Sequence, residues 1–443
     1  MTGGTHVAVG ITCSLAILQP KTIPECLCAI TGGMIGGMIS DIDSPGKRKS
    51  MDYRDDPYGW QVYCFVGVAL VFLLTLDFFA GEGAVDFFLT HIGPPLFVGI
   101  VAFLGLCFYG AHTPHRSFTH SILAGMLFTL SVWCFCEPLA LSFAIGFSSH
   151  LIIDFFNRKK VQYLWPIIKK PFGLNRYPSD GKFNDTLGAI GTLASIYLSA
   201  YFIITSFAKS ALHEKILTFF SSPVSIFGQM TLPLIVPYLI IVNIVGFIAY
   251  TLDHYLYMNG MGFYSGSDEQ ASTMAEFILT LLLIIDISGG MLGKLLAVFV
   301  ILKGKIYKDK WRANYNFYII PCCILICWLI IVFTLFLPAT TSWAKPIASL
   351  RFGGLPIQYF VLGYFLIINI ITIVFIQRME QTVNVITPRE MRCMVLCLLG
   401  GASGCDLSMA ITGKHQNASM LASTLPEMIV MHAIIMTCVF FMA

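Results

Sequence analysis

His112-Thr113-Pro114-His115-Arg116-Ser117-Phe118-Thr119-His120-Ser121 opens the stretch that decides this fold, and Ser149-His150-Leu151-Ile152-Ile153-Asp154 closes it. About thirty apolar residues lie between, with Glu137 near the middle. A membrane span needs about 20 residues at a rise of about 1.5 Å each. The run therefore reads as two helices, 118–136 and 138–156, turning at Glu137-Pro138. Going out and back returns His150 and Asp154 to the level of His120. These two lie four apart and share a helix face. His115 and His120 lie five apart, and Pro114 puts His115 at the helix mouth with His120 one turn inside.

The same pattern recurs upstream. Residues 5–19 form a short apolar helix that begins at His6, Gln19-Pro20-Lys21-Thr22-Ile23-Pro24 is a turn, and residues 25–40 run back to Asp41 and Asp43. Gly32/Gly36 and Gly33/Gly37 repeat at a spacing of four, which lets a neighbouring helix approach closely. Residues 61–80 and 92–110 read as a further hairpin. Three hairpins of equal parity then bring His6, Asp41, Asp43, His112, His115, His120, His150 and Asp154 to one membrane face.

The chain is 56% hydrophobic and 12% charged over 443 residues. Apolar runs long enough to span recur throughout, which specifies an all-α, polytopic transmembrane bundle of roughly 12–13 helices. We divide it into 1–190, built of three helical hairpins, and 191–443, a further transmembrane domain. The first apolar run lacks a basic start and a cleavage site, so it is expected to be retained. A net charge of +3 gives no reason to expect a nucleic-acid partner. The cysteines fall mostly in apolar segments and read as small buried hydrophobes. Loops on the site side carry twelve Lys and Arg residues, and the opposite turns carry only Lys21. That asymmetry puts the site face in the cytoplasm. In the second half, 273–302 reads as a broken helix at Ser288-Gly289-Gly290, with Glu276, Asp286 and Lys294 in apolar surroundings. Gly400-Gly401 is a second break, close to Asp406.

Imidazoles and carboxylates without thiolates suit zinc, with manganese or iron as alternatives, in a hydrolytic role. His6, Asp41, His120, His150 and Asp154 are the expected ligands. Asp43 is the expected base or orienting carboxylate, and His115 and Arg116 face an anionic group of the substrate. The expected partners are membrane lipids and a small-molecule or lipid substrate. A competing reading is a transporter or channel that uses the His/Asp cluster as a proton or ion site. Another is that His150 and Asp154 form an ion pair between helices.

Gly4-Thr5-His6, Ser40-Asp41-Ile42-Asp43-Ser44-Pro45, His115-Arg116-Ser117-Phe118-Thr119-His120-Ser121, Gly146-Phe147-Ser148-Ser149-His150-Leu151-Ile152-Ile153-Asp154 and Tyr163-Leu164-Trp165-Pro166 occur in that order. Over residues 1–190 this resembles the YdjM-type family of bacterial inner-membrane, LexA-regulated, metal-dependent hydrolases. The family is thought to be distantly related to zinc-dependent phospholipases C and single-strand nucleases. The resemblance implies metal-assisted phosphoester hydrolysis, with these His and Asp residues as ligands. It also implies a carboxylate after the Trp-Pro segment, for which Asp180 and Asp185 are candidates. The hairpin at 61–110 makes the gap between Asp43 and His112 longer than a minimal member needs.

Overall fold

The computed structural model describes residues 2–43, 96–179, 181–226, 230–258, 284–286, 288–297, 323–330, 351–352, 354–379, 388–413 and 419–441. The expected helix 61–80, the basic residues 47–54, Asp180, Glu276 and the loop 303–312 lie outside these residues. The protein is an all-α, multi-pass membrane protein. Six described helices are long and apolar enough to cross a bilayer. Contacts divide the chain into two compact units, and the first contains residues 1–213 with the short segments 369–381 and 403–416.

In the first unit, α1 (Gly3–Leu18) stops where Gln19 turns left-handed, at φ 45°, ahead of Pro20. Proline cannot continue the helix, so the chain reverses. Thr22 then caps α2 (Ile23–Ile39), its hydroxyl accepting from the Glu25 amide at 3.4 Å, and the Glu25 carboxylate accepts from the Lys21 amide at 2.8 Å. A 3-10 turn, Ser40–Asp43, ends the hairpin. Next come α3 (Leu96–Ala111), α4 (Ile122–Phe135), α5 (Glu137–Phe155) and α6 (Lys182–Ala208).

Helix α2 lies between α1 and α5, and glycine makes that possible. A Cβ on Gly10 or on Gly146 would collide with the Gly33 carbonyl, and one on Gly37 would sit 2.6 Å from the His6 carbonyl oxygen. Small residues at such crossings let backbones touch. Helix α6 is tied to the start of α1 through Asn184, whose Oδ1 accepts from the Thr2 amide at 2.9 Å and the Thr5 hydroxyl at 3.0 Å. Beneath the polar end, Phe118, Phe128, Phe143 and Phe147 form a buried aromatic core.

The start of α4 differs from the sequence expectation. Phe118–His120 is a 3-10 turn, and the α-helix begins at Ile122. Ser121 is its cap, accepting from the Ala124 amide at 3.1 Å. A regular helix cannot turn two side chains five residues apart toward one point. The turn does so.

In the second unit, α7 (Ala211–Ser221), which begins in the first unit's last residues, leads to a short hairpin, Pro223–Ile226 with Met230–Pro233, and to α8 (Ile235–Met258). The expected break is present, with Gly289 at φ 101° before α9 (Met291–Leu296). Asn243 closes it, donating to the Gly289 carbonyl at 2.9 Å and accepting from the Gly293 amide at 2.8 Å. Asp286 accepts from Lys294 at 2.8 Å and from Tyr250 at 2.7 Å, so the two charges meet inside the protein. Helices α10 (Ile357–Gln377), α11 (Pro388–Leu396), α12 (Ala402–Thr412) and α13 (Ser419–Phe441) follow in the chain, of which α10 from Asn369 and α12 from Ser403 belong to the first unit. Gly400, at φ 128°, breaks the chain between α11 and α12.

Candidate metal centre

Four segments deliver side chains to one end of the first unit. His6 stands near the start of α1. Asp41 and Asp43 lie on the turn after α2. His115, Arg116 and His120 precede α4, and His150 and Asp154 lie near the end of α5. The side chains of His6, His120, His150 and Asp154 are almost fully buried.

Asp154 is the hub. Its oxygens lie 3.3 Å from His6 Nε2, 3.6 Å from His120 Nε2 and 3.9 Å from His150 Nε2. Asp41 Oδ1 lies 3.7 Å from His120 Nε2 and 3.9 Å from His150 Nε2. Most of these separations are too long for hydrogen bonds. Two donors bound tetrahedrally to one ion at about 2.1 Å stand roughly 3.4 Å apart. The spacing is therefore that of atoms able to share a cation. Three overlapping sets of ligand atoms arise among these residues, His6/His150/Asp154, Asp41/His120/His150 and Asp43/His115/His120, with His150 shared by the first two and His120 by the last two.

The imidazoles are set for this by their outer nitrogens. His150 Nδ1 lies 2.8 Å from the Gly37 carbonyl, which only accepts, so Nδ1 carries the proton and Nε2 turns its lone pair inward. Thr119 donates its one hydroxyl proton to Asp43 at 2.5 Å. Its oxygen, 3.0 Å from His120 Nδ1, must then accept from that ring, and His120 Nε2 also faces inward. The Nε2 atoms of His6, His120 and His150 are buried with no hydrogen-bond partner. Each instead faces a carboxylate oxygen at 3.3–3.9 Å, an arrangement in which a shared cation would satisfy the nitrogens and the carboxylates together.

The two charges at the mouth also have partners. Asp43 accepts from His115 Nδ1 at 2.7 Å and from the Arg116 amide at 3.1 Å. Its side chain is buried, while His115 is 31% exposed. The Arg116 guanidinium lies 3.6 Å from Asp154 and donates to the Lys159 carbonyl. Burial alone would lower the pKa of His120, but the Asp41 and Asp43 carboxylates outweigh it and hold the group up at about 9.

All eight named site residues thus come together at one end. His112 does not join them; its ring bonds to the Phe108 carbonyl at 2.7 Å, at the end of α3. Asp185 accepts from Asn184 at 3.2 Å and belongs to none of these sets of ligand atoms. Sequence reasoning missed three supports: Thr119, the Gly37 carbonyl and Asn157. Asn157 donates to Asp154 Oδ1 at 2.5 Å. Its position three residues after Asp154, at the end of the helix, was the available signal.

The loop after α5 covers this end. The Gln162 amide donates to the Arg116 carbonyl at 3.1 Å, and the Ile122 amide to the Tyr163 carbonyl at 3.0 Å. Ile167 is 90% exposed and stands just before Ile168, Lys169 and Lys170. Apolar tips beside lysines suit a membrane interface.

No curated protein and no solved structure matches the chain. Residues 1–213, which hold every residue of the cluster, match the model of a family described as YdjM inner membrane protein.

Proposed function

We propose that residues 1–213 form a membrane-embedded, metal-dependent hydrolase that cleaves a phosphoester at the cytoplasmic interface, with the remaining helices as an additional membrane domain. The observation that carries this reading is the convergence of three buried, unmatched Nε2 atoms on the Asp41 and Asp154 carboxylates. Neutral imidazoles with carboxylates suit zinc first, then manganese or iron. His6, Asp41, His120, His150 and Asp154 are the proposed ligands. Gly37, Thr119 and Asn157 orient them, as outer partners do at metal sites.

A divalent ion bound here would lower the pKa of its water and polarise a phosphoryl oxygen. The protein's own groups supply the rest. Arg116, already beside Asp154, binds an anionic phosphoryl oxygen at the mouth. His115, about a third exposed, moves a proton at Nε2, while Asp43 accepts from its Nδ1 and fixes the ring. Asp43 is therefore an orienting carboxylate, since its oxygens are occupied by His115, Arg116 and Thr119.

Elemental analysis of the purified protein, paired with a chromogenic phosphodiester assay, tests this. Wild-type protein should carry stoichiometric zinc, manganese or iron, and His120→Ala, His150→Ala and Asp154→Asn should each lose most of it together with activity. His115→Ala should keep the metal and lose activity about 10²–10⁴-fold, the usual contribution of a positioned acid or base. A metal-free wild type that drives proton-coupled uptake in liposomes would establish the transporter reading instead.

A further inference from the structure

The proposed hydrolase leaves one buried charge pair unused. Asp286 and Lys294 lie in the second unit, on either side of the break at Gly289. Both are buried, Asp286 being 3% exposed and Lys294 6%. Tyr250, on α8, holds the two together. Its hydroxyl donates to Asp286 Oδ2 at 2.7 Å, and its ring centre lies 4.4 Å from Lys294 Nζ. Nζ donates to the same oxygen at 2.8 Å. Helix α8 has 24 residues, and Tyr250 stands about 22 Å along its length of about 36 Å. The pair therefore sits at membrane depth, where ionisable groups are expensive and point to function.

A charge pair that only pins helices together gains most when every lone pair of its carboxylate is matched. This one is not. Asp286 Oδ1 is buried with no hydrogen-bond partner among the described residues. The backbone of the break is already committed. The Ile285, Ser288 and Gly289 carbonyls accept from the Gly290 amide, the Tyr238 hydroxyl and the Asn243 side-chain amide. A metal cation needs several converging oxygens, whereas a proton needs one lone pair, and one is what Oδ1 offers. Among the described side chains, the titratable groups against Asp286 are Lys294 and Tyr250. Segment 323–330, which reaches Gly289 through Trp328, adds only the Cys323 and Cys327 thiols.

We propose that Asp286 is a proton-binding site of the second unit, and that Lys294 is the cation an arriving proton displaces. A hydronium ion delivers the proton, an O–H bond forms at Oδ1, and water is left. Asp286 loses its charge, while Lys294 keeps its own three protons and its charge. The bond from Nζ to Oδ2 weakens, and the face of the Tyr250 ring holds the ammonium in that state. Return of the proton to water restores the pair. The second unit thereby couples its helix break to proton concentration. This function belongs to the second unit and does not rest on the hydrolase reading.

Infrared difference spectroscopy of the full chain in lipid vesicles tests this. The protein is titrated from about pH 9 to about pH 5, a range in which exposed carboxylates stay ionised. Wild type should gain a protonated-carboxyl C=O band that shifts in heavy water, and Asp286→Asn should lack it. The carboxylates of the first unit are the same in both proteins and cancel in the comparison. In Lys294→Gln the carboxylate has lost its cation, so the band should persist to a proton concentration at least tenfold lower. The double variant Asp286→Asn, Lys294→Gln leaves no charge unpaired and serves as the blank if Asp286→Asn does not fold. Equal spectra for wild type and blank would show a fixed ion pair and overturn the proposal. So would an Asp286 band that stays constant across the titration. A band that Lys294→Gln leaves unmoved would overturn the part given to Lys294.

Discussion

His120 shows how much one residue carries. It touches both carboxylates of the turn after α2 and the hub carboxylate of α5. Without an ion, Asp41 and Asp43 overcome the penalty of burial and hold its pKa at about 9, against an ordinary 6.5. The sign follows. A folded-state pKa raised above the unfolded value stabilises the fold fully below about pH 6.5, and the contribution disappears as pH climbs through 9. An ion must displace the same proton to bind at Nε2, so metal affinity should rise with pH across this window, by about tenfold per unit at most. Two measurements check it. Thermal unfolding of chelator-treated protein should shift to lower temperature between pH 6.5 and 9. Calorimetric zinc titrations of the wild type in buffers of different ionisation enthalpy should report proton release at pH 7 that fades as pH climbs through 9. Release that is undiminished above that pH would move the titrating group elsewhere.

At the scale of elements, the cluster depends on how closely three helices approach. Gly33 touches Gly10 of α1 on one side and Gly146 of α5 on the other. Leucine at position 33 must drive these helices apart, and overpacking of this kind costs about 1–3 kcal/mol. Gly105 on α3 has open space where its Cβ would be. Gly33→Leu should therefore lower the unfolding temperature and abolish bound metal, and Gly105→Leu should do neither; circular-dichroism melts with elemental analysis separate the two. The sequence already showed why. Gly32/Gly36 and Gly33/Gly37 at a spacing of four marked a packing seam, and the span arithmetic put His6, Asp41, His120, His150 and Asp154 at the same end. What could not be read was local. Phe118 looks like the first apolar residue of a helix, but Ser121 caps the helix instead, because its hydroxyl satisfies the Ala124 amide. Thr119 and the Gly37 carbonyl were equally hidden, since their roles exist only once separate segments meet.

For the whole molecule, the remaining question is which way it faces. The described basic residues Arg158, Lys159, Lys160, Lys169, Lys170 and Arg176 lie in the loop hydrogen-bonded to Arg116, so they share the cluster's end. The reversal between α1 and α2, at the other end, has Lys21 alone, and Glu25 binds its amide. Loop lysines and arginines resist translocation, and the proposed function accordingly has the cluster face the cytoplasm. An anionic headgroup would find the same basic loop attractive, and labelling from either side of the membrane separates the two roles. Ile167 is the reporter, since it is 90% exposed and projects from that loop. An Ile167→Cys protein should resist a membrane-impermeant maleimide on intact spheroplasts and react in inverted vesicles, with the unsubstituted chain as background. A cysteine at Lys21, from the opposite turn, should behave in reverse. Labelling of position 167 from outside would reverse the protein in the bilayer and assign the basic loop to headgroup binding. The proposed metal site would be untouched, because its residues come from α1, the turn after α2, the turn before α4 and α5 whichever leaflet they face.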